Sequence, residues 1–204
     1  MVKIPYAGHL GAEHLDAHEE TYSKTVFGFW VYLLTDFVLF GTLFATYVVL
    51  RSGTYGGPSP KDLFNLPYTL IQTLILLISS FTSGLAGAMA HKGSKNWTVI
   101  LFGITFLLGI IFMGMEWGEF SRFIGAGASW KRSAFLSAYF TLIGTHGVHM
   151  LFGLLWILVF IVPVVREGLT PVSVRRLTCL RMFWQFLNII WIFIFSIVYL
   201  LGGY

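Results

Sequence analysis

Charged side chains are scarce in this sequence. Asp, Glu, Lys and Arg make up 11% of its 204 residues, against about 25% in a soluble domain. So few charges cannot clothe a water-facing surface, which excludes an ordinary soluble globule and leaves lipid as the medium for most of the exterior. Cysteine is nearly absent as well. The lone Cys179 excludes an internal disulfide, a four-cysteine zinc site and an iron–sulfur cluster held by this chain. No run of Lys and Arg is long enough for a nucleic-acid surface, so no nucleic-acid partner is expected. The net charge of +4 reads instead as topology and contact with anionic lipid. The first 24 residues lack an apolar stretch followed by a small-residue cleavage site, so no removable signal peptide is expected.

What the chain has in plenty is apolar length. Hydrophobic residues make up 56% of it, and a membrane-crossing helix needs about 20 of them in succession. Runs over 26–50, 67–90, 97–116, 134–162 and 179–201 meet that requirement. The expected fold is all-α: a polytopic membrane protein built as a bundle of five transmembrane helices. Residues 1–25 are expected as a polar N-terminal tail and 26–204 as the membrane domain. His9, His14 and His18 fall in the tail and are read as solvated rather than metal-binding.

Lysines and arginines assign the sides. An N-terminus in the cytoplasm puts Lys3, Lys24, Lys92, Lys95, Arg166, Arg175, Arg176 and Arg181 inside, and Arg51, Lys61, Arg122, Lys131 and Arg132 outside. The excess inside favours a cytoplasmic N-terminus and an external C-terminus. Helices in lipid gain most from close contact and hydrogen bonds. "SGLAGAMA" (83–90), Gly114 and Gly118, and Gly144, Gly147 and Gly153 are therefore read as packing positions. Pro163 is expected at the end of the fourth helix, and "YGGPSPKD" (55–62) as a loop.

Polar groups stand out against this background. Asp36 lies in "LLTDFVLF", about 15 Å along the first span. Glu116 and Glu119 sit in "GMEWGEF" at the outer end of the third span, where water is expected within reach, as interface carboxylates. His146 and His149 lie in "LIGTHGVHMLFG" near the middle of the fourth, and Gln185 and Asn188 in "FWQFLNIIWIFIF" of the fifth, with Gln72 early in the second. Each pair in the fourth and fifth spans is spaced i, i+3, so its side chains leave similar faces. Asp36, His146, His149, Gln185 and Asn188 are expected to form one intramembrane polar cluster joining helices.

Three roles suit such histidines: ligands, proton carriers or polar pins. Two histidines on one helix face cannot straddle a haem, and no other span contains one inside. A single-histidine haem, or a copper or iron site completed by Asp36, stays geometrically possible, but polar packing is the expected role, and no metal site and no catalytic residue are expected in this chain. With an ordinary imidazole pKa near about 6.5, proton handling stays open. At this point a small-solute or ion transporter and a subunit of a larger complex are both compatible with the residues.

Several stretches, in order, carry a resemblance: "GFWVYLLTDFVLFGTLFATYVVL", "GGPSPKDLFNLP", "GMEWGEF", "GTHGVHMLFG", "REGLTP" and "WQFLNIIWIFIFSIVYLLGG". Together they resemble subunit III of the haem–copper terminal oxidases, nearest the five-span form in cytochrome o-type quinol oxidases. The resemblance implies a non-catalytic subunit in the bacterial cytoplasmic (inner) membrane, within a complex that oxidises quinol, reduces oxygen to water and pumps protons. It implies haem and copper in the catalytic subunit I, bound phospholipid, and a part in assembly, stability and proton uptake. Asp36 matches the family's buried carboxylate, and His146 and His149 its His-Gly-x-His element. At Gln185 and Asn188 the family commonly has histidine and aspartate, so a proton role at those two positions is disfavoured. Alternatives are subunit III of a cytochrome c oxidase, an accessory subunit of a nitric-oxide reductase, and the transporter. The transporter is opposed by the odd span count and the lack of an inverted repeat.

Overall fold

The structure is a computed structural model that describes residues 7–57 and 63–202, with side chains described from residue 21 onward. Among the described residues there are five long helices: α1 (Ala7–Leu50), α2 (Leu66–His91), α3 (Lys95–Gly125), α4 (Ala134–Glu167) and α5 (Pro171–Ile194). The last runs on as a π-helical turn, Phe195–Leu200. All five are long and apolar enough to cross a membrane, and no strand occurs among the described residues. The chain is therefore an all-α, multi-pass membrane protein.

Helix ends follow local chemistry. The side chains of Asn65, Ser133 and Thr170 accept from the backbone N–H of Tyr68, Leu136 and Ser173, capping α2, α4 and α5. Pro67 and Pro171 sit in the first turns of α2 and α5, where the missing N–H is no loss. Three boundaries differ from the apolar runs. The third helix passes Glu116 to Gly125, because charged residues at buried positions do not end a helix. The fourth continues beyond Pro163 to Glu167; the proline removes one N–H near the end, and Gly168, at φ +85°, closes the helix. The fifth starts at Pro171, ahead of its arginines. The segment expected as a polar tail is helical from Ala7, while the side chains of His9, His14 and His18 lie outside those described. Of the expected loop, Tyr55 and Gly56 turn at φ 47° and 72°, and 58–62 lie outside the described residues.

Packing arranges α2, α3, α4 and α5 as a ring in which each touches the next and α5 returns to α2, with α1 laid against α4 and α5. The α3 seam is the most regular: Thr98, Phe102, Thr105, Gly109, Phe112, Glu116, Glu119 and Phe123 are buried. Steps of four and three alternate along it without a break, as in a coiled-coil seam. Glu116 and Glu119 thus occupy core positions. The outward face is apolar. Trp97 and Trp117 are 60% and 72% exposed; at 1.5 Å per residue they stand about 30 Å apart, the thickness of a hydrocarbon core, and mark the two interfaces.

Two tryptophans of α5 pin the ring. Trp184 Nε1 donates to Ser79 Oγ at 3.0 Å, and Trp191 Nε1 donates to Thr73 Oγ1 at 3.1 Å. Both acceptors are on α2. Thr73→Val keeps the shape and deletes the acceptor. It is expected to cost about 0.6–1.7 kcal/mol, from the average to the maximum of interhelical hydrogen bonds measured in membranes. Reversible unfolding in mixed micelles checks this.

Candidate functional site

The polar residues of the membrane domain separate into groups set by which helix each side chain meets. Residues three apart on a helix differ in direction by about 60°. Because α4 touches α1, α3 and α5, that difference sends His149 toward α1 and His146 toward α3 and α5. The expectation of a single cluster is corrected accordingly. Among the five residues, the one direct side-chain pairing in the structure is Asp36 with His149.

That pairing is informative about protons. His149 Nδ1 lies 2.8 Å from the carbonyl oxygen of Thr145, and a carbonyl only accepts, so Nδ1 carries a hydrogen. Nε2 faces Asp36 Oδ2 at 3.8 Å. A neutral imidazole with its hydrogen on Nδ1 would present a bare lone pair to a carboxylate. At that separation the two are in ion-pair range without a hydrogen bond between them. Asp36 is 8% exposed, on the α1 stripe Leu33, Asp36, Phe40 and Tyr47 that forms the helix's buried edge. The Phe40 ring packs on His149 with centroids 5.2 Å apart.

His146 is fully buried. Its Nε2 donates to the carbonyl oxygen of Leu187 at 3.3 Å, tying α4 to α5. Its ring lies between Phe112, 5.9 Å away edge-on, and Trp191, 5.2 Å away. Asn188 donates from Nδ2 to Trp184 O within its own helix at 2.8 Å. Half-buried Gln185 turns to α2, where its Nε2 lies 3.7 Å from the position a Cβ on Gly84 would take. Sequence spacing gave these four the same rank; the neighbours of α4 and α5 sort them.

Glu116 and Glu119 are 4% and 2% exposed, which corrects the expectation that both are in reach of water. Glu119 accepts from the Tyr199 hydroxyl at 3.2 Å, and Tyr199 in turn meets the Tyr139 hydroxyl at 2.9 Å. Arg122, one turn beyond, comes within 3.7 Å of Glu119 and is half exposed. Glu119 thus reaches the surface through Arg122. The wide π-helical turn of α5 carries Tyr199 to this position. Neither oxygen of Glu116 has a partner; Oε2 lies 3.5 Å from where a Cβ on Gly147 would stand. The Tyr139–Tyr199 pair was missed from the sequence, and no local motif announces a contact across sixty residues.

Each histidine of the fourth helix has one nitrogen engaged with a carbonyl, and among the described residues no three His, Cys, Asp or Glu side chains converge to hold a metal.

Comparison with known proteins places this geometry in a family. Residues 9–203 match the family model described as cytochrome c oxidase subunit III. A Pseudomonas aeruginosa protein named cytochrome bo(3) ubiquinol oxidase subunit 3 is 52% identical over 197 residues, 97% of this chain and 94% of that protein. Quinol oxidase subunit 3 of Bacillus spizizenii is 43% identical over 188 residues, covering 92% of each. Cytochrome c oxidase subunit 3 of Bacillus sp. strain PS3 is 42% identical over 175 residues, 86% of this chain and 84% of that one. With a family match over nearly its full length and relatives this similar, the chain belongs to the cytochrome c oxidase subunit III family.

Proposed function

We propose that the chain is the non-catalytic subunit III of a proton-pumping quinol oxidase in the bacterial cytoplasmic (inner) membrane, with its N-terminus cytoplasmic and its C-terminus external. The carrying observation is the 52% identity, over 97% of the chain, to a protein named as the third subunit of a ubiquinol oxidase. In this reading haem and copper belong to the catalytic subunit I, whose electron chemistry this chain supports without touching. Its own residues do mechanical and protonic work. The ring of α2–α5 gives a rigid body, α1 is held to it through its buried stripe and the approach of Asp36 to His149, and the apolar exterior meets subunit I and phospholipid.

The test is purification in mild detergent through a tag on this chain. Haem and a larger multispan subunit are expected to co-elute, with oxygen uptake driven by quinol. A haem-free, monodisperse polypeptide that moves a solute across vesicles would favour an independent transporter. The Bacillus sp. relative named for cytochrome c supports a second reading, a cytochrome c-oxidising complex. Oxygen uptake driven by reduced cytochrome c, and not by quinol, would select it.

A further inference from the structure

A cleft of about 290 Å³ opens between α3 and α4, walled by Met113, Trp117, Phe120, Val148 and Leu151, with Glu116 at its base. Gly144 and Gly147 form its α4 side; a Cβ on Gly144 would meet nothing within 4 Å. We propose that this cleft binds a quinol, with a hydroxyl of the ring donating to the Glu116 carboxyl.

Each property of the site narrows the occupant. Glu116 is buried, and both its oxygens lack partners. A buried polar group left so costs about 1–3 kcal/mol, so the occupant brings hydrogen-bond donors. The Glu116 carboxyl is the single acceptor among the lining side chains. Water alone is a poor fit, because a buried water needs about 2–4 polar partners. A phosphate or an ammonium would bring its charge between apolar walls, and an acyl chain has no donor. A neutral hydroxyl on a flat apolar body satisfies both the carboxyl and the walls. The indole of Trp117, the ring of Phe120 and the thioether of Met113 supply faces and edges for an aromatic ring. The volume, at the small end for ligand sites, suits one ring with its tail left in lipid. The depth agrees too: Trp117 marks the interface, where the polar head of a membrane-dissolved amphiphile resides.

The inference rests on the reading of the chain as a quinol oxidase subunit, yet its test stands apart. Native membranes carrying the tagged full-length chain are photolabelled under anaerobic conditions with a diazirine-bearing quinol, in parallel with a photoactivatable phosphatidylethanolamine. Labelling is mapped to the peptide around Trp117. Expected is quinol labelling that excess unlabelled quinol competes away. It is lost in Glu116→Leu, partly kept in Glu116→Gln, and lost in Gly144→Leu, where the new side chain fills a space the backbone leaves open. Gly144→Leu guards against misfolding, since its Cβ meets no neighbour. No quinol labelling of this peptide, labelling unchanged in both leucine variants, or labelling by the phospholipid alone overturns the proposal. Loss of haem co-elution would instead overturn the assignment to the complex and leave the labelling result standing.

Discussion

Trp184→Ala is expected to lower the stability of the isolated subunit by about 3–5 kcal/mol, the range for deleting a large buried aromatic. The indole is 1% exposed and touches three other helices. A Cβ on Gly109 of α3 would lie 2.8 Å from its Cη2, and one on Gly153 of α4 would lie 3.1 Å from its Cε3. Its Nε1 bonds to Ser79 of α2. In lipid the transfer gain of an apolar side chain nearly vanishes, but the packing loss remains, because helices cannot collapse onto the vacated volume without leaving other contacts. The converse change reports on the same slot. Gly109→Ala is expected to cost about 1–3 kcal/mol by overpacking, whereas Gly114→Ala, with nothing within 4 Å, should be neutral. Denaturant unfolding in mixed micelles measures all three. A loss under about 1 kcal/mol for Trp184→Ala would mean that the ring closes without its central side chain.

The glycines show how far sequence reading reaches. Span count, helix type and the buried seam of α3 follow from apolar length and from steps of three and four, which are local properties. Gly87 and Gly153 were read correctly as close-contact positions: Cβ atoms there would meet Arg181 at 2.7 Å and Trp184 at 3.1 Å. Gly114 and Gly144 have the same residue type in similar spacing, yet nothing lies within 4 Å of a Cβ at either. Gly109, the tightest against Trp184, stands four residues after Thr105 and was overlooked. What a glycine meets depends on the facing helix, and that partner is named by topology rather than by spacing. The polar residues behave alike. Hydropathy marked Asp36, His146 and His149 as costly, but only the placement of α1 beside α4 pairs His149 with the acid and leaves His146 to a backbone carbonyl. The carboxylates at 116 and 119 were read as a helix end because charge usually stands there; the unbroken seam from Thr98 to Phe123 was the signal that they are inside.

Asp36→Leu is expected to loosen α1 by about 1–3 kcal/mol, the cost of leaving a buried hydrogen-bonding group unpaired. The substitution leaves His149 Nε2 facing an apolar side chain, while Nδ1 stays bound to Thr145. Because α1 is held by α4 and α5, the effect should concentrate there, as faster proteolysis within α1 and loss of the subunit from the complex. Asp36→Asn separates holding from protonation. An asparagine amide donates to the bare Nε2, so packing and retention should stay close to those of the parent, but no proton can pass between the two groups. Combining Asp36→Leu with His149→Leu removes both needs at once, and the double variant should be less destabilised than the sum of the singles, by about 0.5–3 kcal/mol. Retention and turnover then decide what the pair is for. If it only binds helices, Asp36→Asn pumps protons and sustains turnover normally. If Asp36→Asn remains in the complex yet turnover fades during sustained oxygen reduction, the pair feeds protons to its neighbour. Additive single effects would show that the 3.8 Å approach of Asp36 to His149 carries no energy and that α1 is held by its apolar stripe alone.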